Sequence, residues 1–152
     1  MSVQQRLQEM NITLAPPSYP AGAFVHFVQT GNLLFLSGHI ARRDGKSWTA
    51  RLGADMATEQ GRDAARSVAI DLLGTLSAAT NGDLERIQRI VKLLVLVSSD
   101  PSFTEQHLVA NGASELFKEV FGDRGAHARS AFGVAQLPLG SCVEIELIAE
   151  LK

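Results

Sequence analysis

Hydrophobic positions along this chain change their period several times, and each change marks an element. Val3, Leu7 and Met10 recur at helical spacing, so residues 2–10 read as a short amphipathic helix. Asn11 is its terminator, and Pro16, Pro17 and Pro20 make the next stretch an extended connector. Phe24–Thr30 and Leu33–Ser37 flank Gly31-Asn32, a dipeptide expected in a two-residue hairpin turn. After Gly38-His39-Ile40, the stretch Arg42–Ala54 is polar, with Asp44-Gly45 as a turn signal. It reads as a surface loop with room for a short strand at Ser47-Trp48-Thr49.

From Thr58 to Ala79 the period becomes helical. Ala65, Val68, Ala69, Leu72, Leu76 and Ala79 share one face, and Glu59, Arg62, Asp63 and Arg66 the other. Asn81-Gly82 supplies a left-handed cap. Ile90–Val97 is apolar at nearly every position, the pattern of a central strand covered on both faces. Asp100-Pro101 offers an N-cap and a first-turn proline for a helix through Phe121, with Leu108, Leu116 and Val120 in its buried stripe and Gly122 as its stop. Ala128–Val134 and Cys142–Glu146, joined by a turn at Leu137-Pro138-Leu139-Gly140, read as a closing hairpin.

The order is β-β-α-β-α-β-β behind a helical extension, an α+β arrangement in which two helices cover one sheet face. Residues 90–97 require cover on both faces, so the second layer is expected from another copy of the chain. Residues 1–152 read as one domain, with 1–21 as the N-terminal helix and Pro-rich connector.

Bulk properties narrow the function classes. The 152 residues are 45% hydrophobic and 20% charged, with a formal net charge of −2 and no Lys/Arg block. That gives no electrostatic footprint for nucleic acid or an anionic membrane. No run approaches the ~18 apolar residues of a membrane span, and Met1–Arg6 lacks a signal-peptide layout. A cytoplasmic location is expected. One cysteine, Cys142, excludes an internal disulfide and a Cys-based metal site.

Charge inside the closing strands is the chemical oddity. Alternation puts Val143, Ile145 and Leu147 on one face and Cys142, Glu144 and Glu146 on the other, with the carboxylates ~7 Å apart. Arg129, on the other strand of the expected hairpin, is placed to face this acidic row. Buried charge requires a partner. Either Arg129 and the glutamates form structural ion pairs, or the guanidinium is a fork for a ligand carboxylate. His26, His39, His107 and His127 form no metal-ligand spacing. Ser37 has no nucleophile-elbow context, and the glycines form no phosphate fingerprint. No metal or cofactor is expected. The acidic neighbours should raise the pKa of Cys142.

Gly31-Asn32-Leu33-Leu34-Phe35-Leu36-Ser37-Gly38-His39-Ile40, Ala128-Arg129-Ser130, Leu137-Pro138 and Val143-Glu144-Ile145-Glu146 together resemble the RidA/YjgF family of reactive-intermediate deaminases, also labelled endoribonuclease L-PSP. The resemblance runs from about Gly22 to the C-terminus. It implies a chorismate-mutase-like (bacillus-type) α+β fold, a homotrimeric barrel with helices outside, and three clefts between subunits. It implies hydrolysis of small carboxylate-bearing enamines or imines to 2-keto acids and ammonia. Carried over, Arg129 clamps the substrate carboxylate and Glu144 activates water. Phe24, Ser37, Gly38, His39, Asn111 and Ala131 fall at other cleft positions. The sequence departs from the family pattern at Gly22-Ala23-Phe24, where a tyrosine is usual, at Ala131 in place of cysteine, and at His39 in place of glutamine. A non-catalytic trimer that binds keto acids is the rival reading. The nuclease label fits poorly with the charge.

Overall fold

Ser2 opens helix α1 (Val3–Glu9): its hydroxyl accepts from the Gln5 amide, and the Gln5 side chain accepts from the Ser2 amide. This reciprocal pair satisfies two donors left free at a helix start. Val3 and Leu7 are the buried face, and Asn11 turns the chain away at φ 56. The structure, a computed structural model, describes residues 1–152.

Strands β1 (Phe27–Thr30) and β2 (Leu33–Ile40) form the expected hairpin about Gly31-Asn32. β1 is shorter than its apolar run. The ladder continues only through Ser37 N–H to the His26 carbonyl, and the Ser37 hydroxyl takes up the Val25 carbonyl at 2.6 Å. A side chain thus competes with the ladder and releases residues 24–26. In the polar stretch, β3 (Arg42–Arg43) and β4 (Lys46–Ser47) form a small hairpin about Asp44-Gly45. The strand expected at Ser47–Thr49 therefore ends at Ser47, and Thr49 makes only an isolated bridge to Ser141.

Helix α2 (Thr58–Ala79) has the expected bounds, and its apolar stripe includes Ala65, Val68, Leu72 and Leu76. Central strand β5 (Ile87–Ser98) comes next. Helix α3 (Gln106–Phe121) begins later than the Asp100-Pro101 signal indicates. The Asp100 carboxylate accepts instead from the Ser102 amide and hydroxyl, and the Asp100 N–H pairs with the Leu52 carbonyl. Those bonds hold a turn where a helix would otherwise start. Val109, Ala113, Leu116, Phe117 and Val120 are buried on α3, whereas Leu108 is half-buried.

The last two strands, β6 (Ala128–Val134) and β7 (Val143–Leu151), are not a hairpin. The sheet order is β1-β2-β7-β5-β6, with β6 parallel to β5 and every other pairing antiparallel. A parallel neighbour needs a crossover, and α3 supplies it, which places β6 at the sheet edge. β7 fills the slot between β2 and β5.

Helices α2 and α3 cover one face, where Leu93, Val95, Val97, Ile145 and Leu147 lie in a cluster of 33 buried residues. The other face is open within the chain. Lys92, Leu94 and Leu96 are half-buried on it, while Val28, Phe35 and Phe132 are 53%, 42% and 48% exposed. The architecture is α+β, a mixed sheet with two helices on one face. No helix is long and apolar enough to cross a membrane.

Candidate active cleft beside Gly38 and Glu144

β2 carries a bulge. Leu36 pairs with Leu147 and His39 with Ile145, so Ser37 and Gly38 together oppose one residue of β7. The bulge keeps Leu36 and His39 on the helix face and returns Ile40 to the open face beside Glu144. Glu144 then lies along the Gly38 backbone, where any Cβ on residue 38 would collide with Oε2. Glycine is required here for the carboxylate to approach. Burial pushes the Glu144 carboxyl above the usual carboxylate range, and the charge of Glu146 adds to it.

Glu144 opens into a cleft of ≈ 420 Å³ whose walls include Tyr19, Phe24, Gly38, His39, Ile40, Arg42, Asp71 and Leu139. Tyr19, Pro20 and Ala21 come from the connector after α1, so the N-terminal extension builds one wall. His26 holds that connector through the Ser18 carbonyl. His39 uses both ring nitrogens: Nδ1 lies 2.7 Å from the Ser37 carbonyl and Nε2 2.7 Å from the Thr75 hydroxyl. A carbonyl only accepts, so Nδ1 carries the hydrogen of the neutral ring and Nε2 receives the hydroxyl. Burial lowers the His39 pKa, and the Ser37 carbonyl works against the shift. Burial raises Asp71 above its usual range, opposed by Arg42.

Arg129 is elsewhere. It pairs in register with Leu93, on the helix face, whereas Glu144 pairs with Leu96 on the open face. Nη1 donates to Asn111 Oδ1 at 2.8 Å and to Ser114 Oγ at 3.1 Å, and Nη2 donates to the His107 carbonyl at 3.1 Å. A guanidinium has five N–H groups, so Nε–H and one N–H of Nη2 are left without a partner in the chain. Burial depresses its pKa. The alternation-based placement of Arg129 opposite the acidic row fails because β5 stands between their strands and the side chains leave opposite faces.

The residues picked out in the sequence thus fall into two groups. Phe24, Gly38, His39 and Glu144 line the cleft; Arg129 and Asn111 lie together at the β6 edge. Ser37 belongs to neither: its hydroxyl is spent on Val25, and it borders a separate depression of ≈ 390 Å³ with Phe35 and Glu146. Ala131 is half-buried against the core. Glu146 is exposed and in no ion pair. Tyr19, Arg42, Asp71 and Ser114 carry no sequence signal, because the connector's path and the α2 and α3 surfaces bring them in. Cys142 is fully buried just ahead of β7, and its thiol is pushed up to about 11 chiefly by burial rather than by the glutamates. No group of three His, Cys, Asp or Glu is placed to hold a metal.

The family model for endoribonuclease L-PSP matches residues 13–151. The chain belongs to the endoribonuclease L-PSP family, the RidA/YjgF family. Protein TCP17 of Trypanosoma cruzi is 46% identical over 99% of this chain and 94% of its own. The crystal structure of Atu1372 from Agrobacterium tumefaciens, a protein of unknown function, is 42% identical, covers 99% of this chain and 93% of its own, and superposes with a TM-score of 0.90. RidA from the Antarctic bacterium Psychrobacter sp. PAMC 21119 is 27% identical over 90% of this chain and 94% of its own, with a TM-score of 0.59. The match to Atu1372 thus extends over the N-terminal extension that forms the Tyr19 wall.

Proposed function

We propose that the protein is a homotrimeric hydrolase that deaminates small carboxylate-bearing imines or enamines, at clefts shared between copies. The observation that carries this reading is a division of labour. Arg129 keeps two free N–H donors at the β6 edge, and Glu144, in no ion pair within the chain, waits in the separate cleft beside Gly38. The apolar open face, with Phe35 and Phe132 exposed, supports packing of sheets from several copies into a barrel.

In this reading Arg129 of one copy takes the carboxylate of a 2-imino acid, and Glu144 of another takes a proton from water. The hydroxide adds to the electrophilic C=N carbon, giving a carbinolamine. Return of that proton to nitrogen completes the amino group, and transfer of the hydroxyl proton to nitrogen as the C–N bond breaks releases ammonia and the 2-keto acid. The raised pKa of Glu144 suits a general base, whose efficiency is best near the working pH.

A second reading is a keto-acid-binding trimer without turnover. It is favoured by the apolar walls at Pro20, Phe24, Ile40, Pro138 and Leu139 and by the occupied nitrogens of His39. The two separate in one assay. An amino-acid oxidase generates 2-imino acids, and semicarbazide traps what survives. A hydrolase lowers trapping, and Arg129→Ala and Glu144→Gln abolish the effect. Unchanged trapping with saturable binding of 2-oxobutanoate supports the binding module.

A further inference from the structure

His127 lines no part of the cleft, yet it is tied to Arg129 through one side chain. Its Nδ1 lies 2.7 Å from the Gly125 carbonyl and its Nε2 2.9 Å from Ser114 Oγ. The carbonyl only accepts, so the neutral ring carries its hydrogen on Nδ1 and presents the Nε2 lone pair to Ser114. The Ser114 hydroxyl therefore donates to His127, and its oxygen is left to accept from Arg129 Nη1. Every donor in this series points the same way: Arg129 to Ser114, Ser114 to His127, His127 to Gly125.

The far end of the series is fixed. Gly125 is buried, and a Cβ there would run into the Phe117 carbonyl, so its backbone lies flush on α3. The His127 ring stands edge-on to the buried Phe117 ring, centroids 6.3 Å apart. Burial and the nearby Arg129 charge lower the His127 pKa, outweighing the Gly125 carbonyl and favouring the neutral ring that the series requires.

We propose that Ser114 and His127 are positioning residues that fix the rotation of the Arg129 guanidinium, so that its two free N–H groups are presented together to a ligand carboxylate. This rests on the reading of Arg129 as a carboxylate clamp. A guanidinium that turns freely loses orientational entropy on binding; one held at Nη1 by Asn111 and Ser114 has lost it already. Asn111 and the His107 carbonyl each hold one N–H, and Ser114 supplies the third point, which fixes the remaining hydrogen of Nη1. By taking the hydroxyl hydrogen, His127 fixes the rotor of Ser114 so that its lone pairs face Arg129 Nη1.

The test has two readouts. In calorimetric titration with 2-oxobutanoate, Ser114→Ala should weaken binding about tenfold, the lower end for loss of a hydrogen bond to a charged group. His127→Phe, which keeps the ring packing and loses the acceptor, should act in the same direction. The double variant should be no worse than Ser114→Ala, because the residues act in series. Ser114→Thr, which restores the hydroxyl, should recover most of the affinity. With imine substrates, KM should rise while kcat holds. Wild-type affinity in all these variants, with binding still abolished by Arg129→Ala, overturns the relay and leaves the clamp standing. The second readout uses no ligand: nitrogen-resolved NMR of the Arg129 guanidinium, restricted in wild type and averaging in Ser114→Ala. Identical guanidinium spectra overturn the relay even if the protein binds no keto acid.

Discussion

Arg129 and Glu144 leave opposite faces of the same sheet. Arg129 shares a row with Leu93 and Leu147 under the helices, and Glu144 shares one with Leu96 and Ile40 on the open side. β5 lies between their strands and three residues of register separate them along the sheet, so their backbones are ~14 Å apart. No rotamer brings the two charges together around the sheet within one chain. A site that uses both needs a second copy, and the open apolar face is where copies can meet.

Phe35→Glu tests that face. Phe35 is 42% exposed in the chain, so the substitution is compatible with folding. In the proposed barrel it would bury an unpaired charge, at a cost of several kcal/mol. Light scattering should show the trimer replaced by monomer, with circular dichroism unchanged. A trimer that survives places the interface elsewhere.

Gly38→Ala tests the approach of the carboxylate. The added methyl group collides with Glu144 Oε2 and must displace it. Overpacking of this kind costs about 1–3 kcal/mol, and displacement of a catalytic group by about 1 Å can cost on the order of a hundredfold in rate. In a Glu144→Ala background the stability cost of Gly38→Ala should largely disappear. Equal costs in both backgrounds, measured as urea midpoints, break the link between the two residues.

His39 gives a signed pH dependence. Its folded-state pKa lies below the ordinary 6.5, chiefly through burial. As pH falls through that ordinary value the unfolded chain takes up a proton before the folded one. Stability is therefore full above about 6.5 and drains as pH falls toward the folded value. His127 acts in the same direction. The urea midpoint of the wild type should fall between about pH 7.5 and 5.5, and His39→Gln should flatten part of that fall. Parallel curves for the two proteins rule out His39 as a contributor.

Much of the fold was legible because single elements announce themselves by period. The 22 residues of α2 and the apolar run of β5 show it most clearly. What misled was pairing. Arg129-Ser130 and the Glu144 strand read as a hairpin because only a short turn separates them, yet the parallel partner that α3 makes available to β6 is β5. Local side-chain bonds at Asp100 and Ser37 moved two boundaries in ways that propensity does not register. For the site, the chemistry at Arg129 and Glu144 stood out as charge in apolar strands. Tyr19, Asp71, Ser114 and His127 did not, since each acquires its neighbours only through tertiary packing.

Mixing two inactive variants tests the shared site most directly. Arg129→Ala and Glu144→Gln, denatured together and refolded at equal amounts, should form mixed trimers if the proposed assembly holds. Some contacts then pair an intact Glu144 from one variant with an intact Arg129 from the other. If each site draws on two copies, imine hydrolysis should return to about a quarter of wild type, the fraction of such contacts under random assembly. If the mixture stays as inactive as either variant alone, while refolded wild type recovers fully, Arg129 and Glu144 do not act in a cleft shared between copies.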